Sequence, residues 1–327
     1  SYLLACDVQS SSLTISSTEK YAGGLAGSLN NSFSVDSGVN VNDQDTSEKQ
    51  INISAGDYAG GIAGSASIAQ SIALGTAFYQ GQKDLVSLLG NIVGDIAAGD
   101  PTNVLLSLTG VSPSVIAGNT INGKLTVSAT NTCAGGIAGQ TDGVKIIPSS
   151  KLNDESFIWK QNSDQLNYTP KNKENSIPSL VSVSANSFAG GIVGKNLTAS
   201  AAGILNKTLG VASYIGFTVD SVTVTGSENG YSISATDNYA GGAFGQAIGG
   251  NAISVVLNNI STVTAKNYAG GFAGDAGTGS LANGGGLNIL GLDLAKIDNL
   301  LSLAEGVRLN IKDSQVNGIA DGLSVSA

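Results

Sequence analysis

The sequence contains no histidine and no methionine, and it holds one tryptophan, two cysteines and five prolines. Without histidine, a Ser-His-Asp or Cys-His nucleophile cannot be assembled, and a transition-metal site loses its commonest ligand. Charge is scarce as well: 12% of the residues are Asp, Glu, Lys or Arg, with a balance of −9. Nucleic acid and anionic membrane surfaces are bound through dense Lys and Arg, so neither is an expected partner. The longest apolar run, 85–98, is short and interrupted by Asp95, which excludes a bilayer-spanning helix there. No cofactor or metal is expected, for neither an EF-hand loop nor the Gly-Gly-x-Gly-x-Asp nonapeptide of calcium-binding repeats is present.

Low charge combined with a mean hydropathy of +0.16 is not the composition of a disordered chain. At 327 residues, with 45 glycines and an abundance of Ala, Ser, Thr, Asn, Val and Ile, the chain predicts a sizeable core of small and β-branched side chains. Cys6 and Cys133 read as two small hydrophobes rather than a bridge.

What the sequence does contain is a repeat. A seven-residue phrase occurs as YAGGLAG at 21–27, YAGGIAG at 58–64, CAGGIAG at 133–139, FAGGIVG at 188–194, YAGGAFG at 239–245 and YAGGFAG at 268–274. Its leading residues are Tyr21, Tyr58, Cys133, Phe188, Tyr239 and Tyr268. Its paired glycines are Gly23 and Gly24, Gly60 and Gly61, Gly135 and Gly136, Gly190 and Gly191, Gly241 and Gly242, and Gly270 and Gly271. Runs with alternating apolar and polar residues precede the phrases at 13–16, 51–54, 125–128, 181–184, 231–234 and 261–264. Period two places the apolar members on a core and the Ser, Thr and Asn members in outward ladders once successive strands stack. The phrase itself reads as a corner followed by a second short strand, the glycines allowing close backbone approach. A phosphate-binding loop does not fit, because no Lys-Ser/Thr follows any copy.

The phrases begin 37, 75, 55, 51 and 29 residues apart, so the shortest interval is about one coil and the longer ones carry inserts, expected to emerge from one side. A single coil cannot bury its own apolar face, so stability must come from stacking. Residues 323–327 match 125–129 and 181–185, each of which leads into a phrase, and the array is expected to continue into further coils.

These phrases and their preceding strands resemble the GLUG-type Gly-Gly-apolar-x-Gly repeats of large bacterial cell-surface proteins, adhesins and stalks. The resemblance implies a right-handed parallel β-helix and an extracellular location. The irregular spacing and the size of the inserts depart from the simple family pattern.

Three inserts stand out within a single domain, 1–327. At 82–111, Leu85, Leu88, Leu89, Ile92, Val93 and Ile96 fall at helical spacing, and a similar helical pattern occupies 287–305. Both predict helices that cover an edge or flank of the solenoid. The third, 140–178, is polar and irregular and contains the sole tryptophan; Trp159, Phe157, Tyr168 and Lys160 are the candidate contact residues for a sugar or protein. The alternative is a tryptophan that pins the loop to the wall.

Asp36, Asp43, Asp45, Glu48 and Asp57 cluster in sequence in or beside a polar loop and are the main candidates for two-carboxylate chemistry, with a solvated or calcium-binding role equally open. The reading is therefore an all-β, right-handed parallel solenoid with helical and loop insertions. It is taken as a non-catalytic adhesin or stalk segment meeting a host or neighbouring-cell protein or glycan. A β-helix lyase or glycoside hydrolase and an ice-binding adhesin domain are the alternatives.

Overall fold

The computed structural model describes residues 1–41, 49–67, 113–155, 159, 165–197, 199–200, 214–278, 288–289, 292–293 and 308–327. These residues are mostly β, with parallel strands in stacked sheets. The second coil shows the plan: Phe33–Val35, Gly38–Val41, Gln50–Ala55, Tyr58–Gly60 and Ala63–Ser67 follow one another. The third coil then lays Val115–Ala117 in parallel on Phe33–Val35, and its later strands pair in turn with those of the second. Repetition produces a seven-stranded wall I, a twelve-stranded wall II, and six-stranded walls III and IV. Wall II consists of two files, IIa and IIb, joined where Asn175–Ala185 and Val256–Thr264 run through both with an irregularity in register.

Alternation builds the main core. On file IIb, Ile51, Ile53, Leu125, Val127, Val183, Ile233 and Val263 are buried, and the residues between them stay on the outside. The Gly-Gly phrase supplies walls III and IV, which are strands separated by a two-residue link such as Gly61-Ile62. Close packing explains the paired glycines. A Cβ on Gly61 would lie 2.1 Å from the Gly136 carbonyl oxygen and 2.4 Å from Ile121 Cδ1, and one on Gly60 would lie 2.0 Å from the Ala63 carbonyl oxygen.

The corner from wall I to IIa is a stacked left-handed turn: Ala5, Asp36, Gly118, Ser221, Ser254 and Asp313 have φ of 49°, 49°, 64°, 50°, 53° and 51°. Only one of the six is glycine, so the stacking imposes a conformation that the isolated residues disfavour. Beside this corner, buried amides replace missing backbone partners. Ser37 N–H donates to Asn119 Oδ1 at 2.8 Å, Asn119 N–H donates to Asn175 Oδ1 at 2.9 Å, and Asn175 Nδ2 donates to the Ile147 carbonyl at 2.8 Å.

In the fourth coil this corner is replaced by the excursion 148–174. It is narrower than the span 140–178, because Ala138–Asp142, Lys145–Ile147 and the strand from Asn175 belong to the coils. The inserts also do not leave from one side. Residues 42–48 interrupt the passage from IIa to IIb, 148–174 that from I to IIa, and 68–112, 201–213 and 279–307 lie between IV and I. An insert at these three corners leaves the pairing of the wall strands in place, whereas the links from IIb to III and from III to IV stay short in every coil. The span 82–111 lies outside the described residues. Within 287–305 only the short antiparallel pair Asn288–Ile289 and Leu292–Asp293 is described.

Wall I has apolar residues on both faces in its first four coils. Ile116 and Ile146 face the main core, whereas Phe33, Val35, Val115, Ala117 and Ile147 form a second buried cluster with Leu152 and Trp159. Farther along, the corresponding outer positions become Thr218, Asn251 and Asn310, and the cover stops.

Candidate functional site

The proposed aromatic contact group is the first place to look. Trp159 is fully buried, and its indole lies 5.7 Å from the Phe33 ring, 6.2 Å from Tyr2 and 6.5 Å from Tyr168, centroid to centroid. It offers no open platform and instead pins the excursion onto the apolar outside of wall I, whose coverage excludes water from the second core. Tyr168 is half-buried and donates its hydroxyl to Asp36 Oδ2 at 3.0 Å, and Lys171 N–H donates to the same oxygen at 2.6 Å. Burial, followed by the neighbouring Asp36 carboxylate, pushes the Tyr168 hydroxyl above the ordinary tyrosine range. Lys151 adds a second tether, an ion pair to Asp220 at 2.5 Å. Phe157 and Lys160 lie outside the described residues.

The acidic cluster does not assemble within the described part. Asp36 sits buried at the I–IIa corner and Asp57 at the IIb–III link, while Asp43, Asp45 and Glu48 lie outside the described residues. Asp142, on the outer side of wall IV between Ser67 and Leu197, has its pKa raised to about 6 by burial.

The outer face of IIb is the most regular surface. One lane runs from Thr14 through Asn52, Thr126, Ser182, Ser232 and Thr262 to Ser324, in continuous register. Two residues along, a second lane runs from Ser16 through Ser54, Ser128, Ser184, Ser234 and Thr264 to Ser326. Strand geometry spaces the rungs by about 4.7–4.9 Å and the lanes by about 6.6–6.8 Å. Thirteen of the fourteen positions bear a hydroxyl, none is charged, and they are half-buried in the middle coils and exposed at both ends.

Elsewhere outward polar side chains use one another: Asn122 donates to Asn40 at 2.6 Å, Asn310 to Asn251 at 3.0 Å, Asn317 to Asn258 at 2.8 Å and Gln246 to Asp275 at 2.8 Å. In the two lanes, the side-chain hydrogen bond among the described residues is Asn52 to Gln50 at 3.4 Å. The hydroxyls thus keep both donor and acceptor capacity.

Wall III carries a file of rings parallel to these lanes. Tyr21 stacks on Tyr58 at 5.3 Å, Phe188 on Tyr239 at 5.2 Å and Tyr239 on Tyr268 at 4.9 Å, with Cys133 buried in the gap. Lys195 Nζ lies 4.4 Å from the Phe188 ring centroid. Burial pushes the Cys133 thiol up to about 12.

The lanes were half visible in the sequence as alternating Ser and Thr, but their alignment across long inserts required the strand pairing. The anchoring role of Asp36 had no sequence signal. No family model matches the chain, and no curated protein or solved structure matches it.

Proposed function

We propose that this chain is a non-catalytic segment of a bacterial cell-surface adhesin or stalk, a GLUG-type, right-handed parallel β-solenoid that carries contact surfaces away from the cell. The carrying observation is the single main core that extends from coil to coil and is enclosed by stacking. Such a core gives reach at low cost in charge and aromatic content. The right-handed sense is supported by the strong preference of parallel strand connections for that hand. Extracellular location rests on the resemblance of the phrases and on a composition poor in charge and free of histidine and methionine. Among the described residues, no helix is long and apolar enough to cross a membrane.

On this reading the partner is a host or neighbouring-cell protein or glycan. The excursion 148–174 is held by Trp159, Tyr168 and Lys151, and among its described residues Asn153, Asp154, Gln165 and Asn167 are exposed and offer a polar element for contact. The test is an array of glycans and host-matrix proteins, probed with the intact chain and with a variant whose residues 152–170 are replaced by a short linker. A specific hit supports an adhesin, and loss in the variant assigns it to the excursion. Uniform silence across the array, together with antibody labelling only after cells are permeabilised, would remove both the adhesive role and the surface location.

A further inference from the structure

We propose that the stacked tyrosine pairs of wall III, Tyr21 with Tyr58 and Tyr239 with Tyr268, are sites of oxidative coupling, at which a one-electron oxidant staples adjacent coils through a dityrosine bond. The inference stands on ring geometry and does not depend on the adhesive role proposed above. Each tyrosine leads a Gly-Gly phrase; the alanines that follow, such as Ala22, Ala59 and Ala240, are buried in the core, so the rings face outward. Parallel pairing sets Tyr21 opposite Tyr58 and Tyr239 opposite Tyr268. Side chains of opposite residues in a parallel pair point the same way, which lays the two rings side by side with their hydroxyl ends together. The centroids are 5.3 Å and 4.9 Å apart, and the planes lie 16° and 11° from parallel. Among the described residues, these are the two contacts between tyrosine rings.

The rest of the file confines the chemistry to these pairs. Cys133 takes the rung after Tyr58 and Phe188 the next, and Phe188 stacks on Tyr239 without a hydroxyl from which a phenoxyl radical could form. The other tyrosines whose side chains are described are engaged differently. Tyr2 stacks on Phe33, Tyr168 meets Trp159 edge-on and donates to Asp36, and Tyr231 is buried in the main core. Tyr58 and Tyr239, although interior to the file, are only half-buried, so an oxidant in solution can draw an electron from each pair.

Loss of one electron and one proton converts a tyrosine to a neutral phenoxyl radical, whose unpaired electron is shared between the oxygen and the ring carbons ortho to it. Two such radicals in contact form a carbon–carbon bond between ortho carbons. The hydrogen on each of those carbons then moves to its oxygen, which restores both phenols. With hydrogen peroxide as terminal oxidant, each coupling transfers two electrons and two protons and turns one peroxide into two waters. Contact decides the partner. Rings held together have an effective concentration of at least the mM order, against about 10 μM for encounters between separate chains, so coupling within the chain should exceed coupling between chains by on the order of 100-fold. The bond would tie the first coil to the second and the fifth to the sixth. A solenoid is held by contacts between neighbouring coils, so such a tie restrains separation of a coil from the stack and shortens the free unfolded chain, as a disulfide does.

The experiment treats the full chain, at that μM concentration, with a haem peroxidase and hydrogen peroxide and separates monomer from larger species. Dityrosine is read by its fluorescence and by mass spectrometry of linked peptides. Tyr21→Phe and Tyr239→Phe each remove one hydroxyl and keep the ring stack, as Phe188 already does against Tyr239; circular dichroism verifies that both fold. The expected result is a monomer carrying the Tyr21–Tyr58 and Tyr239–Tyr268 links, each lost in its own variant and retained in the other. The oxidised wild type should also unfold at higher denaturant than the double variant treated alike. Absence of dityrosine from the monomer overturns the proposal, as does linkage mainly through Tyr2, Tyr168 or Tyr231, or a thioether between Tyr58 and Cys133 in its place. The same distribution of links from chain oxidised in denaturant would show that stacking does not direct the coupling, and equal unfolding midpoints would overturn the stapling.

Discussion

The Tyr168 hydroxyl donates to Asp36 Oδ2 across 132 positions of sequence, joining the excursion 148–174 to a corner of the second coil. Asp36 is 3% exposed and adopts a left-handed φ of 49°, so the bond fixes both the excursion and a strained turn. Tyr168→Phe should leave a buried carboxylate oxygen with one donor, that of Lys171, and cost about 1–3 kcal/mol. Chemical denaturation should show a lower midpoint at unchanged slope, whereas an unchanged midpoint would mean that the bond contributes nothing.

Trp159 supports the same element by packing. Trp159→Ala empties the centre of the second core and should destabilise by about 3–5 kcal/mol. Because it is the only tryptophan, the wild-type emission should be that of a buried indole and should shift to the red on unfolding. A water-exposed native emission would contradict its burial. Any loss of ligand binding in this variant should be matched by Trp159→Phe only to the extent that Trp159→Phe also loses stability.

The Gly-Gly phrase predicts a positional asymmetry. Gly61→Ala places a methyl against the Gly136 carbonyl of the next coil and should cost at least about 1–3 kcal/mol, with loss of soluble folded protein as the extreme. Gly271→Ala occupies the same place in the last phrase, where the nearest atom to the new Cβ is Leu323 Cδ2 at 3.8 Å, and should be tolerated. Equal penalties at both positions would show that backbone conformation, not the neighbouring coil, demands the glycine.

Asp142 makes stability depend on pH. Its folded pKa, about 6, lies above the ordinary carboxylate value, so between about pH 4 and pH 6 the folded chain binds the extra proton. Stability should therefore fall as pH rises through this window and change little from this group above it. Asp142→Asn should flatten that part of the profile and stabilise the protein by about 1–2 kcal/mol at neutral pH, allowing for partial exposure. A wild-type profile that rises from pH 4 to pH 6 and is unaffected by the substitution would refute the assignment.

The two thiols should behave differently. Cys6 is exposed and Cys133 is buried with its pKa pushed up to about 12. A thiol reagent at neutral pH should modify Cys6 in the native protein and reach Cys133 only in denaturant, as read by mass spectrometry. Rapid native modification of Cys133 would mean that the coil opens at the gap in the ring file.

The repeated phrase and the period-two runs make strand, core face and stacking legible, because a coil with one apolar face has no stable state except against a like coil. The pairs Ile51–Leu125 and Tyr58–Cys133 follow from that logic once the phrases are aligned. Tertiary structure alone decides the rest. Trp159 reads equally as a contact residue and as a pin for the loop until Phe33, Val35 and Val115 are seen to leave wall I apolar on its outer side. Three-residue strands such as Phe33–Val35 and Val115–Ala117 are too short for periodicity to reveal that both faces are buried. Likewise, Ser54, Ser128 and Ser184 become one lane only when strand pairing spans inserts of different length. Local sequence sets which side of a strand is polar, while the number of residues spent between strands carries no information about register. That is fixed by the ladder of backbone hydrogen bonds and by the fit of Gly61 beneath Gly136.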